Sequence, residues 1–219
     1  METSERLGQL SAKYETSGQG PGTVSSGAGD AGGVSYGSYQ MTSKPNGGVV
    51  SQFISQSNFP WAGEFKQLKP GTAEFTAKWK AISNNEGERF DEAQHAYIKG
   101  THFDKLVEKV KNDDHFDITT RSHALQDVAW STAVQHGPNT PVMHHAIDAV
   151  RKGGPLNLQD PKLDEDLIHA IYAERGRKND KGQLAYFSRN SAAVQQSVAK
   201  RFANEEQDAI KMLANERSR

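Results

Sequence analysis

Cysteine is missing from this 219-residue chain. Its absence excludes disulfide bonds, thiolate catalysis and cysteine-ligated zinc, and it suits synthesis in a reducing cytoplasm. An excess of charge is missing too, because 26 Lys and Arg are balanced by 27 Asp and Glu. This balance argues against nucleic-acid binding by a basic body and against binding to a membrane surface.

Long apolar runs are also absent. No stretch of the sequence approaches the roughly 20 apolar residues that span a bilayer. The acidic and polar residues 1–6 lack the apolar region of a signal peptide. We therefore expect a protein without stable membrane insertion, which depends on another factor if it acts outside the cytoplasm.

The chain opens with a short amphipathic segment. Leu7, Leu10 and Tyr14 share one helix face, and a hydroxyl at residues 3–4 can cap a helix there. This spacing predicts a first helix that ends near Glu15.

A glycine-rich stretch follows, with eight glycines between residues 18 and 37. A flexible linker would have this composition, but strand-type residues alternate in its last part. A twisted hairpin with tight glycine turns over about residues 18–40 fits better; its strand-type residues are Val24, Val34, Tyr36 and Tyr39.

From residue 48 onward the pattern is helical almost throughout. Thr72 is a suitable helix cap, Ser122 can start a helix, and a last helix begins near Ser191. Thr140 and Asp160 each place a capping side chain before a proline at the first helical position. The predicted fold is mainly α: one domain over residues 1–219, with a small β-hairpin after the first helix.

Two carboxylates belong to the hairpin region. Glu15 ends the first predicted helix, and Asp30 lies 15 positions later in a glycine-rich turn. Such an acid pair cuts glycosidic bonds, because one acid protonates the leaving oxygen and the other activates water or stabilises the developing cation. Taken singly, Glu15 could also be an acid on the surface of a helix. Asp30 could equally serve only to form the turn. Their spatial separation decides between inversion and retention, and we lean towards inversion.

Three blocks of the sequence resemble a known family. Residues 14–18 and 29–40, YETSG and GDAGGVSYGSYQ, resemble phage endolysins and the muramidase domain that ends some type VI secretion spike (VgrG) proteins, within the lysozyme superfamily. Residues 127–137, DVAWSTAVQHG, and 166–176, DLIHAIYAERG, are similar to further signatures of that family. The order of the three blocks supports the match.

The resemblance implies an α+β lysozyme-like fold and a muramidase that hydrolyses the β-1,4 bond between N-acetylmuramic acid and N-acetylglucosamine in peptidoglycan. Glu15 is then the catalytic acid and Asp30 its partner. The position of this block near residue 1 favours a free endolysin, a monomer without cofactor that accumulates in the host bacterial cytoplasm and reaches the cell wall with a holin. The alternative is a type VI secretion effector, opposed by an immunity protein in the producing cell.

Other functions stay open beside the muramidase. A lytic transglycosylase or a chitosanase-like hydrolase needs a similar acid, and a non-catalytic wall-binding protein needs none. The eight histidines show no metal-ligand spacing, which argues against a zinc amidase, and we expect no metal and no cofactor.

Five further residues are candidates for the sugar-binding cleft. The rings of Tyr36 and Tyr39 either stack on sugar or pack within the hairpin. Gln40 either binds an N-acetyl group or satisfies hairpin amides. Gln135 and His136 either bind sugar hydroxyls or close the end of their helix, where a cationic histidine is favoured.

Overall fold

The computed structural model describes residues 6–15, 20–27 and 33–218, without the side chain of Glu15. Helices make up 63% of the structure, and the described part contains one sheet of two strands, which confirms the mainly α fold with a small hairpin. The elements are α1 Gln9–Glu15, β1 Ser35–Tyr36, β2 Met41–Thr42, α2 Gly48–Ile54, a 3₁₀ turn Ala62–Phe65, α3 Ala73–Ile98, a π-helical turn Lys99–Phe103, α4 Asp104–Asp114, a 3₁₀ turn Ile118–Thr120, α5 His123–His136, α6 Val142–Arg151, α7 Leu163–Arg175, a 3₁₀ turn Ala185–Phe187 and α8 Ala192–Arg217.

The chain divides into two compact units. Unit 1 contains residues 1–14 and 101–219, and unit 2 contains residues 15–100. Each unit has its own buried core. The single domain expected over residues 1–219 stays a prediction.

The core of unit 2 is a cluster of aromatic rings around Trp79, which has no exposed surface. Its ring lies edge-on to Phe90 at 4.7 Å and to Phe53 at 5.9 Å between centroids. Edge-to-face pairs at such distances stabilise a core beyond the area that they bury. The cluster fixes α2 and α3 beside the hairpin strands.

The hairpin is attached to α3 through the buried side chain of Gln94. The Oε1 of Gln94 accepts a hydrogen bond from the Ser38 amide at 3.0 Å, and its Nε2 donates to the Pro21 carbonyl at 3.1 Å. At Gly37, where φ is +77°, an added Cβ would lie 2.0 Å from that Oε1. Glycine is therefore required at position 37 by both backbone conformation and close approach.

Local capping fixes several helix starts as predicted. The hydroxyls of Thr72, Ser122 and Ser191 each accept an amide hydrogen bond of the following helix, which confirms the cap at Thr72 and the helix starts at Ser122 and Ser191. The starts predicted at Pro141 and Pro161 are wrong, because α6 begins at Val142 and α7 at Leu163, and the described residue directly before each of these helices makes no side-chain cap bond. Helix α3 is one long element with a kink at Glu86, where φ is −135° and ψ is 43°. The indole nitrogen of Trp61 donates to the Glu86 carboxylate at 2.9 Å, which ties the kink to the preceding loop.

Helix α5 lies at the centre of unit 1, with every residue from 127 to 133 buried. Helices α7 and α8 pack against it, and α6 packs against α7. A helix that is covered all round carries side chains that must pack or pair on each face. Within the described chain, none of the helices combines the length and apolarity that crossing a bilayer requires.

A buried ion pair joins α7 to α8. Arg175 and Glu205 have no exposed side-chain surface, and the Arg175 Nη2 lies 3.5 Å from the Glu205 carboxylate. The Glu205 carboxylate also accepts hydrogen bonds from the Ser131 hydroxyl and, at 3.3 Å, from the Arg201 Nε. The guanidinium of Arg175 also lies 4.5 Å from the ring centroid of Phe202, a cation–π contact. The network holds α5, α7 and α8 together.

We predict that Glu205→Gln destabilises the protein by about 3–5 kcal/mol, because it leaves the Arg175 charge buried with a weaker partner. The double variant Glu205→Leu with Arg175→Met removes both charges. We expect it to lose less free energy of unfolding than Glu205→Gln does. Urea unfolding followed by circular dichroism measures both. A loss below about 1 kcal/mol in Glu205→Gln, the range of an exposed pair, would contradict the prediction.

Candidate active site

The structure describes only a part of the predicted acid pair. Glu15 is the last residue of α1, as the sequence predicts for the end of the first helix. Its side chain and the whole of Asp30 lie outside the described residues. The roles of Glu15 and Asp30 as acid and partner stay predictions, and the described surroundings of α1 provide the structural context for Glu15.

The first turn of α1 is held by a carboxylate from far along the chain. The buried Asp127 on α5 accepts hydrogen bonds from the amides of Gly8, Gln9 and Leu10, the last two at 3.2 and 2.9 Å. Burial raises the pKa of Asp127, against the effect of these amide bonds. Three amides that a helix start leaves without partners are thus satisfied by one side chain.

The approach of α1 to α5 also depends on Gly8. Its φ is +95°, and an added Cβ would lie 2.9 Å from the indole nitrogen of Trp130. A side chain at position 8 would push the helix start away from Asp127. The capping hydroxyl expected at residues 3–4 lies outside the described residues.

The last turn of α1 is held by Asp208 on α8. The hydroxyl of Tyr14 donates to the Asp208 carboxylate at 2.6 Å, and the Lys13 ammonium pairs with the same oxygen. Burial alone raises the pKa of Asp208, but the bonds from Lys13 and Tyr14 outweigh it and lower that pKa. The residue directly before Glu15 is therefore fixed to unit 1 by its side chain.

Tyr36 is a core residue of unit 2. Its side chain has no exposed surface, and its ring packs against Phe75 with centroids 5.1 Å apart. Its hydroxyl lies 2.9 Å from the Thr76 hydroxyl and accepts from the Gly71 amide at 3.0 Å. A ring without exposed surface offers no face to a sugar, so the structure favours packing over sugar stacking for Tyr36.

Tyr39 and Gln40 lie at the turn between the two strands. Tyr39 is half-buried, and its hydroxyl lies 2.7 Å from the Nδ1 of His95. Gln40 adopts φ +48°, and its side-chain amide donates to the Gly37 carbonyl at 3.0 Å. This bond favours the hairpin role for Gln40, whereas Tyr39 keeps a part of its ring accessible and stays a sugar-binding candidate.

Gln135 is oriented by the buried arginine of unit 1. Its Oε1 accepts a hydrogen bond from the Arg175 Nη2 at 2.6 Å. One lone pair of the side-chain oxygen is thus used by Arg175, and the NH₂ group can donate to another molecule. Gln135 is half-buried, and its sugar-binding role stays a prediction.

His136 lies in an aromatic setting beside Gln135. Its ring stacks on Phe202 at 6.0 Å and contacts Tyr186 and Phe187 edge-on. Burial, with the charges of Arg175 and Arg201 adding to it, lowers the pKa of His136 to about 3. A neutral ring at pH 7 does not favour the alternative in which a cationic His136 closes the helix end, and the sugar-binding role of His136 stays a prediction.

The anchoring carboxylates were not singled out from the sequence. Asp127 lies within the second resembling block, and Asp208 lies in a stretch of mixed charge. The available signal at Asp127 was an acid between apolar residues of a helix that is buried all round. No comparable signal marks Asp208, whose partners depend on the fold.

One acid–histidine group joins α4 to α6. Among the described residues, Asp114, His144 and Asp148 are close enough to share an ion. The Nδ1 of His144 lies 2.6 Å from Asp114 and its Nε2 lies 3.3 Å from Asp148, and the bond to Asp114 raises the pKa of His144. Because both ring nitrogens face carboxylates, this is the arrangement of an ion pair between α4 and α6. The expectation of no bound metal stays a prediction.

The low pKa of His136 predicts a loss of stability in acid. The unfolded chain binds a proton at this histidine near pH 6.5, whereas the folded protein takes it up near pH 3, so stability falls as the pH drops through this window. Between pH 7.5 and pH 5, the free energy of unfolding of His136→Phe is expected to fall by about 2 kcal/mol less than that of the unsubstituted protein. Thermal unfolding at both pH values measures this, with the exposed His115 changed to Asn as control. Equal pH dependence in all three proteins would contradict the prediction.

The chain is similar to proteins of type VI secretion. Residues 7–206 match the family described as type VI secretion system spike protein VgrG3-like, C-terminal. The type VI secretion system spike protein VgrG3 of Vibrio cholerae serotype O1 (strain ATCC 39315 / El Tor Inaba N16961) is 41% identical over 142 residues, which are 65% of this chain and 14% of that protein. The VgrG part of the resemblance is confirmed, and the endolysin part stays a prediction. The chain belongs to the VgrG3-like C-terminal family of type VI secretion spike proteins.

Proposed function

We propose that this chain is a peptidoglycan-cleaving muramidase that acts as an antibacterial effector of type VI secretion. The family match over residues 7–206 favours this context over a free phage endolysin. The preference for an endolysin rested on the place of the acid pair near residue 1, which carries less weight than a match over most of the chain. The aligned part is a small share of VgrG3, so the activity is argued from this chain's own residues.

The observation that carries the proposal is the fixation of α1 at both ends. A general acid must hold its proton within hydrogen-bond reach of the leaving oxygen. Helix α1 ends at Glu15, with Asp127 bound to its first amides and Asp208 to its last turn. A carboxyl group at the end of so constrained a helix suits a reaction in which small displacements of the acid reduce the rate strongly.

The reaction needs two carboxyl groups in different ionisation states. Glu15 donates its proton to the oxygen between N-acetylmuramic acid and N-acetylglucosamine, and the bond from this oxygen to the muramic acid C1 breaks. Asp30, ionised, either directs a water molecule to C1 or shields the oxocarbenium ion from the opposite face. Water supplies the new C1 hydroxyl. Its remaining proton passes to Asp30 when Asp30 activates the water, or to Glu15 when Asp30 only shields the cation, and proton exchange with solvent restores the starting ionisation states.

Digestion of purified peptidoglycan with mass spectrometry of the fragments tests this proposal. Disaccharide-peptides with reducing N-acetylmuramic ends are expected of a hydrolytic muramidase. Anhydro-muramic ends would instead indicate a lytic transglycosylase. Reducing N-acetylglucosamine ends would indicate another glycosidase, and intact glycan with bound protein would indicate a wall-binding protein. Each of these three results would overturn the proposal.

The effector setting adds a cellular expectation. An enzyme of this kind meets peptidoglycan only on the periplasmic side of a Gram-negative cell. Expression with an added export signal is therefore expected to lyse the cells, whereas cytoplasmic expression leaves them intact. A producing cell that exposes its own wall to the enzyme needs an immunity protein, while a phage endolysin would instead work with a holin.

We predict that Glu15→Gln lowers the rate of peptidoglycan cleavage at least about 10²-fold, the scale of general acid catalysis. Asp30→Asn is expected to reduce the rate on a similar scale if Asp30 acts on water or the cation, and to have little effect in a transglycosylase. The exposed Glu88 on α3 provides the matched control, Glu88→Gln, with unchanged rate. Activity of Glu15→Gln equal to that of the control would refute the assignment of Glu15.

A further inference from the structure

Helix α1 spans seven residues, which is too short for stability on its own. Isolated helices below about 12–15 residues are marginal in water, so α1 depends on the partners that hold it. Two carboxylates from other helices hold it, Asp127 at the first turn and Asp208 at the last. Residue Ala12 adds a backbone bond to the Gly8 carbonyl at 2.9 Å.

The two anchoring helices are themselves joined by side chains one turn away. Asp127 and Ser131 are four positions apart on α5, and Ser131 donates to Glu205. Glu205 and Asp208 are three positions apart on α8, so they share a face of that helix. The buried Arg175–Glu205 pair thus fixes the same stretch of α8 that binds Tyr14.

The contacts of Asp208 go to the residues directly before the predicted acid. Tyr14 is half-buried and the carboxylate of Asp208 is 20% exposed, so this hydrogen bond is partly shielded from water. Lys13 is 60% exposed, and its ion pair is worth less because water screens it. The bond from the Tyr14 hydroxyl therefore dominates the attachment of the last turn.

We propose that Asp208, together with Asp127, is a positioning residue for the glycosidic cleavage: it holds the last turn of α1 through Tyr14 and thereby fixes the backbone of Glu15. This inference rests on the proposed function. Asp208 acts through α1 and contacts neither the sugar nor the water. Its loss therefore lowers the rate of the chemical step and leaves substrate binding unchanged.

The test compares Asp208→Ala with Glu206→Ala. Both acids are partly exposed and both join α8 to a neighbouring helix, because Glu206 pairs with His169 of α7 at 2.7 Å. On soluble peptidoglycan fragments, Asp208→Ala is expected to lower kcat about 10-fold with unchanged KM, whereas Glu206→Ala retains the kcat of the unsubstituted protein. Equal kcat in the two variants would overturn the proposal. A raised KM with unchanged kcat in Asp208→Ala would overturn it too.

A smaller change isolates the hydrogen bond itself. Tyr14→Phe removes one oxygen atom and is expected to lower kcat as Asp208→Ala does. The double variant Tyr14→Phe with Asp208→Ala is expected to lose no more than the larger single loss, because both changes break the same bond. Multiplied losses in the double variant would show that the two residues act independently and would contradict the proposal. Tyr186→Phe, which removes a hydroxyl bound to Glu174 at 2.5 Å, controls for the loss of a tyrosine oxygen from a half-buried residue.

Hydrogen–deuterium exchange provides a readout that does not need activity. Peptides that cover residues 9–15 are expected to exchange faster in Asp208→Ala and in Asp127→Asn, and at the original rate in Glu206→Ala. Unchanged exchange in Asp208→Ala would overturn the anchoring of α1. Faster exchange in a protein that never cleaves peptidoglycan would confirm the anchoring and overturn the positioning role together with the proposed function.

Discussion

A charge pair without access to water determines how the helices of unit 1 pack. Burial of an arginine and a carboxylate opposes folding by several kcal/mol for each ion unless hydrogen bonds and the opposite charge compensate. Arg175 and Glu205 gain part of this compensation from partners on α5 and α8, and the ring of Phe202 covers the guanidinium. Within the described part of the chain, the Nε and Nη1 of Arg175 are buried without a hydrogen-bond partner. Because each partner comes from a different turn, a shift of any of these helices would leave a buried charge unpaired. The register of the helices is thus set by polar contacts within an apolar core.

The same network reaches the helix that carries Glu15. Asp127 is one turn from Ser131 on α5, and Asp208 is one turn from Glu205 on α8. The buried pair and the two anchors of α1 are therefore successive parts of one polar framework. A short helix gains a fixed position by attachment to larger helices that could not move without breaking their own bonds. Rigid support of this kind is what a positioned acid requires.

Local rules in the sequence predicted the features that depend on neighbouring residues. The cap at Thr72, the helix starts at Ser122 and Ser191, the mainly α composition and the hairpin after the first helix follow from short-range chemistry, and they are confirmed. Features that depend on distant residues were not predicted. The partner of the first turn of α1 lies 119 positions away, and the burial of Tyr36 follows from rings of α3. In a two-residue strand, alternation cannot tell a ring that packs inward from one that faces solvent.

The long-range contacts of α1 also determine when it can form. The ribosome completes Tyr14 long before Asp208, which lies 194 positions further on. Contacts between such distant residues require most of the chain and form slowly. Although α1 precedes α8 in the sequence, its last turn can therefore be fixed only once α8 has been synthesised. The position of the Glu15 backbone is thus determined late, by the packing of a helix that lies far along the chain.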